Sequence, residues 1–282
     1  MELPLLRRFR RRRFEERDER EKTDEHVVTL IDLRGQAALV TGGSRGIGAA
    51  TAILLARAGF DVAITYRSRE AAAQSVVRRI EAEGRRGAHL PCELTRREDC
   101  ELVVRRAVET FGRLDVFVAN AGVWPVDDVS LPDMSDEQWR HTLRVNLDAV
   151  FYGTRAALRV LEPGGRIVIV SSTAGQRGEA FHADYAASKG ALIAFVKSLA
   201  VEAAPDVTVN CVAPGWVDTE MAEAPYARDG GKGRDEIERT IPLGRVAAAE
   251  DVAGPILFLC SPLARHVTGE VVNVNGGSVL CG

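Results

Sequence analysis

The sequence predicts a doubly wound α/β fold, a single parallel sheet with helices on both faces. Three observations carry this reading. Short apolar runs alternate with helical stretches along most of the chain, glycines mark the joins, and no linker interrupts the alternation, so the 282 residues read as one large domain. The first unit follows Gly35: residues 37–41 are an apolar run, 47–58 have helical character, and Gly59 ends the helix. Residues 61–65 read as the second strand, 70–83 as a helix closed by Gly84, 88–92 as the third strand, 97–111 as a helix closed by Gly112, and 114–119 as the fourth strand. One long helix is expected over 136–161, a fifth strand over 166–170, a helix over 183–204, and two further strands over 208–212 and 271–274. Strands apolar on both faces and separated by helices form a parallel sheet with right-handed crossovers, and ligands then bind at the strands' carboxyl ends.

Composition narrows the function classes. Lys and Arg number 37 against 40 Asp and Glu, so no bulk charge points to nucleic acid as a partner. The five cysteines (Cys92, Cys100, Cys211, Cys260 and Cys281) are odd in number and scattered, which fits reduced thiols in a cytoplasm better than a disulfide framework or a metal site. No apolar stretch approaches the roughly 20 residues that cross a bilayer, and no secretory signal is present. A cytoplasmic protein with no membrane partner is the expectation. Residues 1–34 stand apart as a charged extension, expected to be disordered: Arg7, Arg8 and Arg10 to Arg13 are followed at once by mixed charges. A basic tether or transit peptide and a plain solvated tail are the competing readings of that stretch.

Between the first strand and helix stands Thr41-Gly42-Gly43-Ser44-Arg45-Gly46-Ile47-Gly48. Its glycines permit a tight turn and close backbone approach to a pyrophosphate, and the following helix offers free N–H groups and a positive dipole end to that anion. A Rossmann-type dinucleotide site is therefore expected here. At the end of the second strand Tyr66-Arg67-Ser68 replaces the acid that would hold the ribose hydroxyls of NAD. A guanidinium suits a ribose 2′-phosphate, so Arg67, with Arg45 adding a second positive charge, points to NADP(H).

The second constellation is catalytic. Tyr185 and Lys189 lie four apart in a predicted helix and share one face. Hydride chemistry at a carbonyl needs one proton and a group that steadies negative charge on oxygen, and a tyrosine beside an ammonium does both. At about 4 Å and an effective dielectric near 20, that ammonium contributes on the order of 4 kcal/mol, lowering the phenol by roughly three pK units, with desolvation opposing. Ser172, thirteen residues before Tyr185 at the end of the fifth strand, is placed to polarise the reacting oxygen, with Ser171 its competitor.

The loop spacing, the Tyr-x-x-x-Lys pair and the upstream serine together resemble the short-chain dehydrogenase/reductase family, and the resemblance spans residues 33–280. It selects Ser172 over Ser171 and implies that Asn146, in Arg144-Val145-Asn146-Leu147, anchors a water that links Lys189 to solvent. It also implies that Glu93 and Leu94, after the third strand, contact adenine, and that Asn120-Ala121-Gly122 line the cofactor. Pro214-Gly215-Trp216-Val217-Asp218-Thr219 matches the segment that holds the nicotinamide carboxamide, with Pro214, Gly215, Val217 and Thr219 as the contacts. Together with Gly42, Ser44, Gly46, Ile47 and Gly48 these complete the expected cofactor set. Residues 222–241, polar and irregular, suit a lid over substrate. The resemblance is nearest to 3-oxoacyl-[acyl-carrier-protein] reductases, although arginines for an acidic carrier are missing near Glu162-Pro163 and Pro205-Asp206. An NADP(H)-dependent oxidoreductase acting on a small carbonyl or alcohol, assembled as a homotetramer, is what the resemblance implies. A non-catalytic NADP-binding regulator or scaffold is the alternative.

Overall fold

The β-branched and alanine-rich runs of the sequence form seven strands: β1 (Ala37–Val40), β2 (Asp61–Tyr66), β3 (Gly87–Pro91), β4 (Val116–Ala119), β5 (Gly165–Val170), β6 (Val207–Pro214) and β7 (Val271–Val274). The structure is a computed structural model that describes residues 32–231 and 233–281. The strands are ordered β3-β2-β1-β4-β5-β6-β7, with every neighbouring pair parallel. The helices are α1 (Gly46–Arg57), α2 (Glu70–Ala82), α3 (Arg97–Phe111), α4 (Asp136–Leu143), α5 (Ala149–Leu158), α6 (Ala174–Arg177), α7 (Ala183–Glu202), α8 (Glu223–Gly231), α9 (Gly233–Thr240) and α10 (Ala249–Leu259).

Side chains alternate across β1, and the two faces feed two separate cores. Ala38 and Val40 pack with α1, α2 and α10, while Ala37 and Leu39 pack with α3, α5 and α7. This is the doubly wound arrangement that the sequence predicts. Chain direction across the sheet reverses between β1 and β4, so a crevice opens at their carboxyl ends.

Four departures from the sequence reading have physical causes. The helix expected over 136–161 is broken into α4, a π-helical turn at Arg144–Asp148, and α5. Asn146 sits in that turn, and its amide is bonded outside the helix. Helix α10 is not anticipated by the periodicity, because Pro255 lies inside it and removes a ladder donor; packing against α1 holds the helix nonetheless. Residues 222–241, expected to be irregular, are largely the helices α8 and α9, the second supported by an Arg234–Glu238 pair one turn apart at 3.1 Å. Leu33, assigned from sequence to the extension, is 1 % exposed and its N–H donates to Ala58 O, so this residue packs with the sheet and helices. Residues 1–31, with the basic stretch, lie outside the described residues.

Candidate active site

The glycine loop is tied to both neighbouring strands. Thr41 Oγ1 accepts from the N–H groups of Asn120 (3.0 Å) and Ala121 (3.1 Å), and Asn120 Nδ2 donates back to Thr41 O at 2.9 Å. On the other side Gly42 N donates to Thr65 Oγ1 and Gly43 N to Thr65 O, each at 3.0 Å. Gly42 and Gly46 have φ of +66° and +53°, the left-handed region that favours glycine. A Cβ on Gly48 would lie 2.3 Å from Gly42 O and 2.6 Å from Asn120 Nδ2. Arg45, the N-cap residue of α1, places no side chain over the first-turn N–H groups. The result is a glycine cradle beside a helix N-terminus, which fits a pyrophosphate.

One cleft is lined by every residue that the sequence reading gave to the cofactor, from Gly42 and Ser44 through Tyr66, Arg67, Ser68, Glu93 and Leu94 to Thr219, and by Ser172, Tyr185 and Lys189. Asn146 is the exception: it is 0 % exposed and lies behind the wall, where Nδ2 donates to Val123 O (2.9 Å) and Ser188 Oγ (3.2 Å) while Oδ1 accepts from Val123 N (2.8 Å). Gly122 stands between it and Lys189, since a Cβ there would be 3.1 Å from Asn146 Oδ1 and 3.3 Å from Lys189 Nζ. Glu93 faces the cleft but spends Oε1 on the N–H and hydroxyl of Thr95.

Geometry separates the two serines. Ser171 is buried and donates to Lys189 O at 2.8 Å, whereas Ser172 is half-buried with Oγ accepting from Ala174 N at 3.1 Å. Short helix α6 packs backbone to backbone on α7, for a Cβ on Gly175 would be 2.5 Å from Lys189 C. That contact fixes Ser172 relative to Tyr185 and Lys189.

The pKa shifts correct the simple charge argument. Burial pushes the Tyr185 hydroxyl up to about 12, with the nearby Ser172 hydroxyl pulling it down and Glu179 adding to the rise. Burial likewise pushes Lys189 down to about 8. Lys189 Nζ donates to Val170 O at 2.9 Å and sits 5.8 Å from the centre of the tyrosine ring. With both groups desolvated and the amine turned to a carbonyl, the roughly three-unit lowering of Tyr185 expected from sequence is not what the chain's own groups produce.

Several site residues carry no local sequence signal. Asp184, 0 % exposed, accepts from Tyr185 N (2.9 Å), Thr142 Oγ1 (2.7 Å) and Gln138 Nε2 (3.2 Å), pinning the start of α7 to α4. Trp124 and Trp216, from the loops after β4 and β6, meet edge-on at 6.3 Å and line the cleft beside Ser172. Trp124 lies against His182, ring centres 4.5 Å apart and tilted by 43°, and Trp216 is backed by Tyr226 at 6.3 Å. Glu179 shares this wall, and burial raises its carboxyl above the usual range. Arg45, expected to be free for a phosphate, is paired with Glu220 at 2.5 Å, and Arg69 reaches the same carboxylate oxygen at 2.6 Å.

A family model described as enoyl-(acyl carrier protein) reductase matches residues 42–278. The chain is 38 % identical over 255 residues to a 3-oxoacyl-[acyl-carrier-protein] reductase of Synechocystis sp., covering 89 % of this chain and 100 % of that one. It is 37 % identical over 264 residues to hydroxynaphthalene reductase-like protein Arp2 of Metarhizium guizhouense, covering 89 % and 97 %. Among solved structures, a short chain dehydrogenase from Burkholderia cenocepacia J2315 in complex with NADP superposes with a TM-score of 0.81 at 40 % identity, covering 87 % of this chain and 98 % of that one. Among the described residues no helix is long and apolar enough to cross a membrane.

Proposed function

The chain belongs to the short-chain dehydrogenase/reductase family and is an oxidoreductase, and from that premise we propose that it reduces a ketone, or oxidises the matching secondary alcohol, with NADP(H) as cofactor and Tyr185 as the proton donor or acceptor. The observation that carries the reading is the convergence of Ser172, Tyr185 and Lys189 on the cleft that contains the glycine cradle. A regulator that only bound the cofactor would need the cradle but not these three.

Gly42, Ser44, Gly46, Ile47 and Gly48 would hold the pyrophosphate, and Arg67 with Arg45 the 2′-phosphate, with Tyr66, Ser68, Glu93 and Leu94 around the adenosine. Asn120, Ala121, Gly122, Pro214, Gly215, Val217 and Thr219 would line the nicotinamide half. Bound there, the cofactor supplies the hydride. Ser172 donates a hydrogen bond to the carbonyl oxygen and orients it. Tyr185 gives its phenolic proton to that oxygen as negative charge develops. Lys189, charged below a pKa of about 8, places a cation behind the phenol and steadies the phenolate left after proton transfer. Asn146 is a positioning residue: by bonding both Val123 backbone groups and Ser188 it holds the loop after β4 against α7.

The B. cenocepacia structure binds NADP, and Arg45, Arg67 and Arg69 in this cleft favour the same choice here. Relatives named for 3-oxoacyl carrier thioesters and for hydroxynaphthalenes define the ketones to try. We place the protein in the cytoplasm as a homo-oligomer, on its free cysteines and its family. NADPH deuterated at C4 is incubated with a panel of aromatic, cyclic and 3-oxoacyl thioester ketones. The expected outcome is oxidation of the cofactor with deuterium at the product carbinol carbon for at least one member, and no deuterium transfer to any member would contradict the reading.

A further inference from the structure

Arg45 is the N-cap residue of α1 and Arg69 that of α2, so both project from helix starts on the cofactor side of the sheet. Both guanidinium groups close on Oε2 of Glu220, at 2.5 and 2.6 Å. Glu220 opens the 3-10 turn Glu220–Ala222 that leads into α8, and all three side chains line the cofactor cleft. The clasp therefore joins the adenosine wall to the segment bearing Thr219 and the helices beyond it. Each partner keeps a third to a half of its surface exposed, so a ligand can reach the group without unfolding anything. Arg67, in the same cleft, has no ion-pair partner among the described residues and stands beside Arg69 in the chain.

Two guanidinium groups converging on one anion form the charge pattern that a phosphate monoester satisfies best, with nearly two negative charges and three acceptor oxygens against the single charge of a carboxylate. We propose that Glu220 is a cofactor-selectivity residue: an internal competitor for Arg45 and Arg69 that the 2′-phosphate of NADP(H) must displace and that NAD(H), lacking this phosphate, leaves in place. Glu220 thus narrows the preference for the phosphorylated cofactor that the arginines create. The proposal rests on the NADP(H) reading above and assigns a role to an acid that this reading does not use.

The effect is modest, because exposed ion pairs contribute little individually. Binding is read directly, without substrate, by titrating the protein into NADPH or NADH and following cofactor fluorescence, with melting temperature as the control for folding. Glu220→Gln is expected to tighten NADPH roughly three- to tenfold while NADH stays within about twofold. Arg69→Leu is expected to weaken NADPH roughly fivefold or more with NADH again unchanged, and in that background Glu220→Gln loses most of its effect. NADPH affinity that is unchanged or weaker in Glu220→Gln, or an equal gain for both cofactors, overturns the competitor role while leaving the reductase reading intact. NADPH that fails to bind the wild-type chain overturns the cofactor reading and the competitor role with it.

Discussion

Gly48 leaves no room for a side chain, with Gly42 O and the Asn120 amide both closer than any real Cβ contact. Gly48→Ala is expected to force the loop open and weaken NADPH at least tenfold, read by the same fluorescence titration, with a smaller loss in melting temperature. Buried Lys189 makes a pH prediction. Its folded pKa of about 8 lies below the 10.5 of the free side chain, so between those values the unfolded chain binds more protons and stability rises with pH. Tyr185, at about 12 against 10, acts in the opposite direction, and its contribution is lost as pH climbs from 10 through 12. Urea unfolding of Lys189→Met beside the wild type is expected to show the rise between pH 8 and 10 flattened by on the order of 1–3 kcal/mol. Identical pH slopes would mean that the amine is not desolvated. Tyr185 and Lys189 stood out in the sequence because their helical spacing puts them on one face and Ser172 and the glycine loop accompany them. Trp124, Glu179, Arg69 and Glu220 did not, since they converge from separate segments that only the assembled sheet brings together.

Strand β2 shows how one side chain sets an element. Asp61, 6 % exposed at its first position, accepts from Arg85 at 2.7 Å, Arg86 Nε at 2.6 Å and Arg86 N at 3.1 Å, tying β2 to the turn that starts β3. Asp61→Ala leaves these donors unmatched beside a buried strand start and is expected to cost about 3 kcal/mol in urea unfolding, with the β3 edge exchanging amide hydrogens sooner than β4 or β5. A loss below about 1 kcal/mol would show that the pair is a solvated surface contact. Strands β1, β2, β4, β5 and β6 were readable because apolar runs buried on both faces leave little ambiguity, and α3 spans residues 97–111 as expected, closed by Gly112. Periodicity could not reveal the π-helical turn at Asn146, which arises from hydrogen bonds to Val123 and Ser188, elements distant in sequence. Nor could it reveal α8 and α9, where glycines and charges resemble a loop until ion pairs such as Arg234 with Asp218 and Glu238 are counted.

At the scale of the whole molecule, the doubly wound sheet brings the carboxyl ends of β1, β4, β5 and β6 to one edge, and each contributes one part of the site: cradle, Asn120 loop, Ser172, and the Pro214–Thr219 segment. The fold class was legible because the alternation of strand and helix runs through the chain and admits few topologies. The cleft wall beside Ser172 was not, because Trp124 and Trp216 meet there from separate loops. In the proposed mechanism Tyr185 moves the proton. Its most direct test is Tyr185→Phe, assayed by NADPH oxidation on the best ketone of the panel alongside NADPH binding. Turnover is expected to fall at least a hundredfold with NADPH affinity within about threefold of wild type. Near-normal turnover in this variant would contradict it and assign the proton to another group in the cleft.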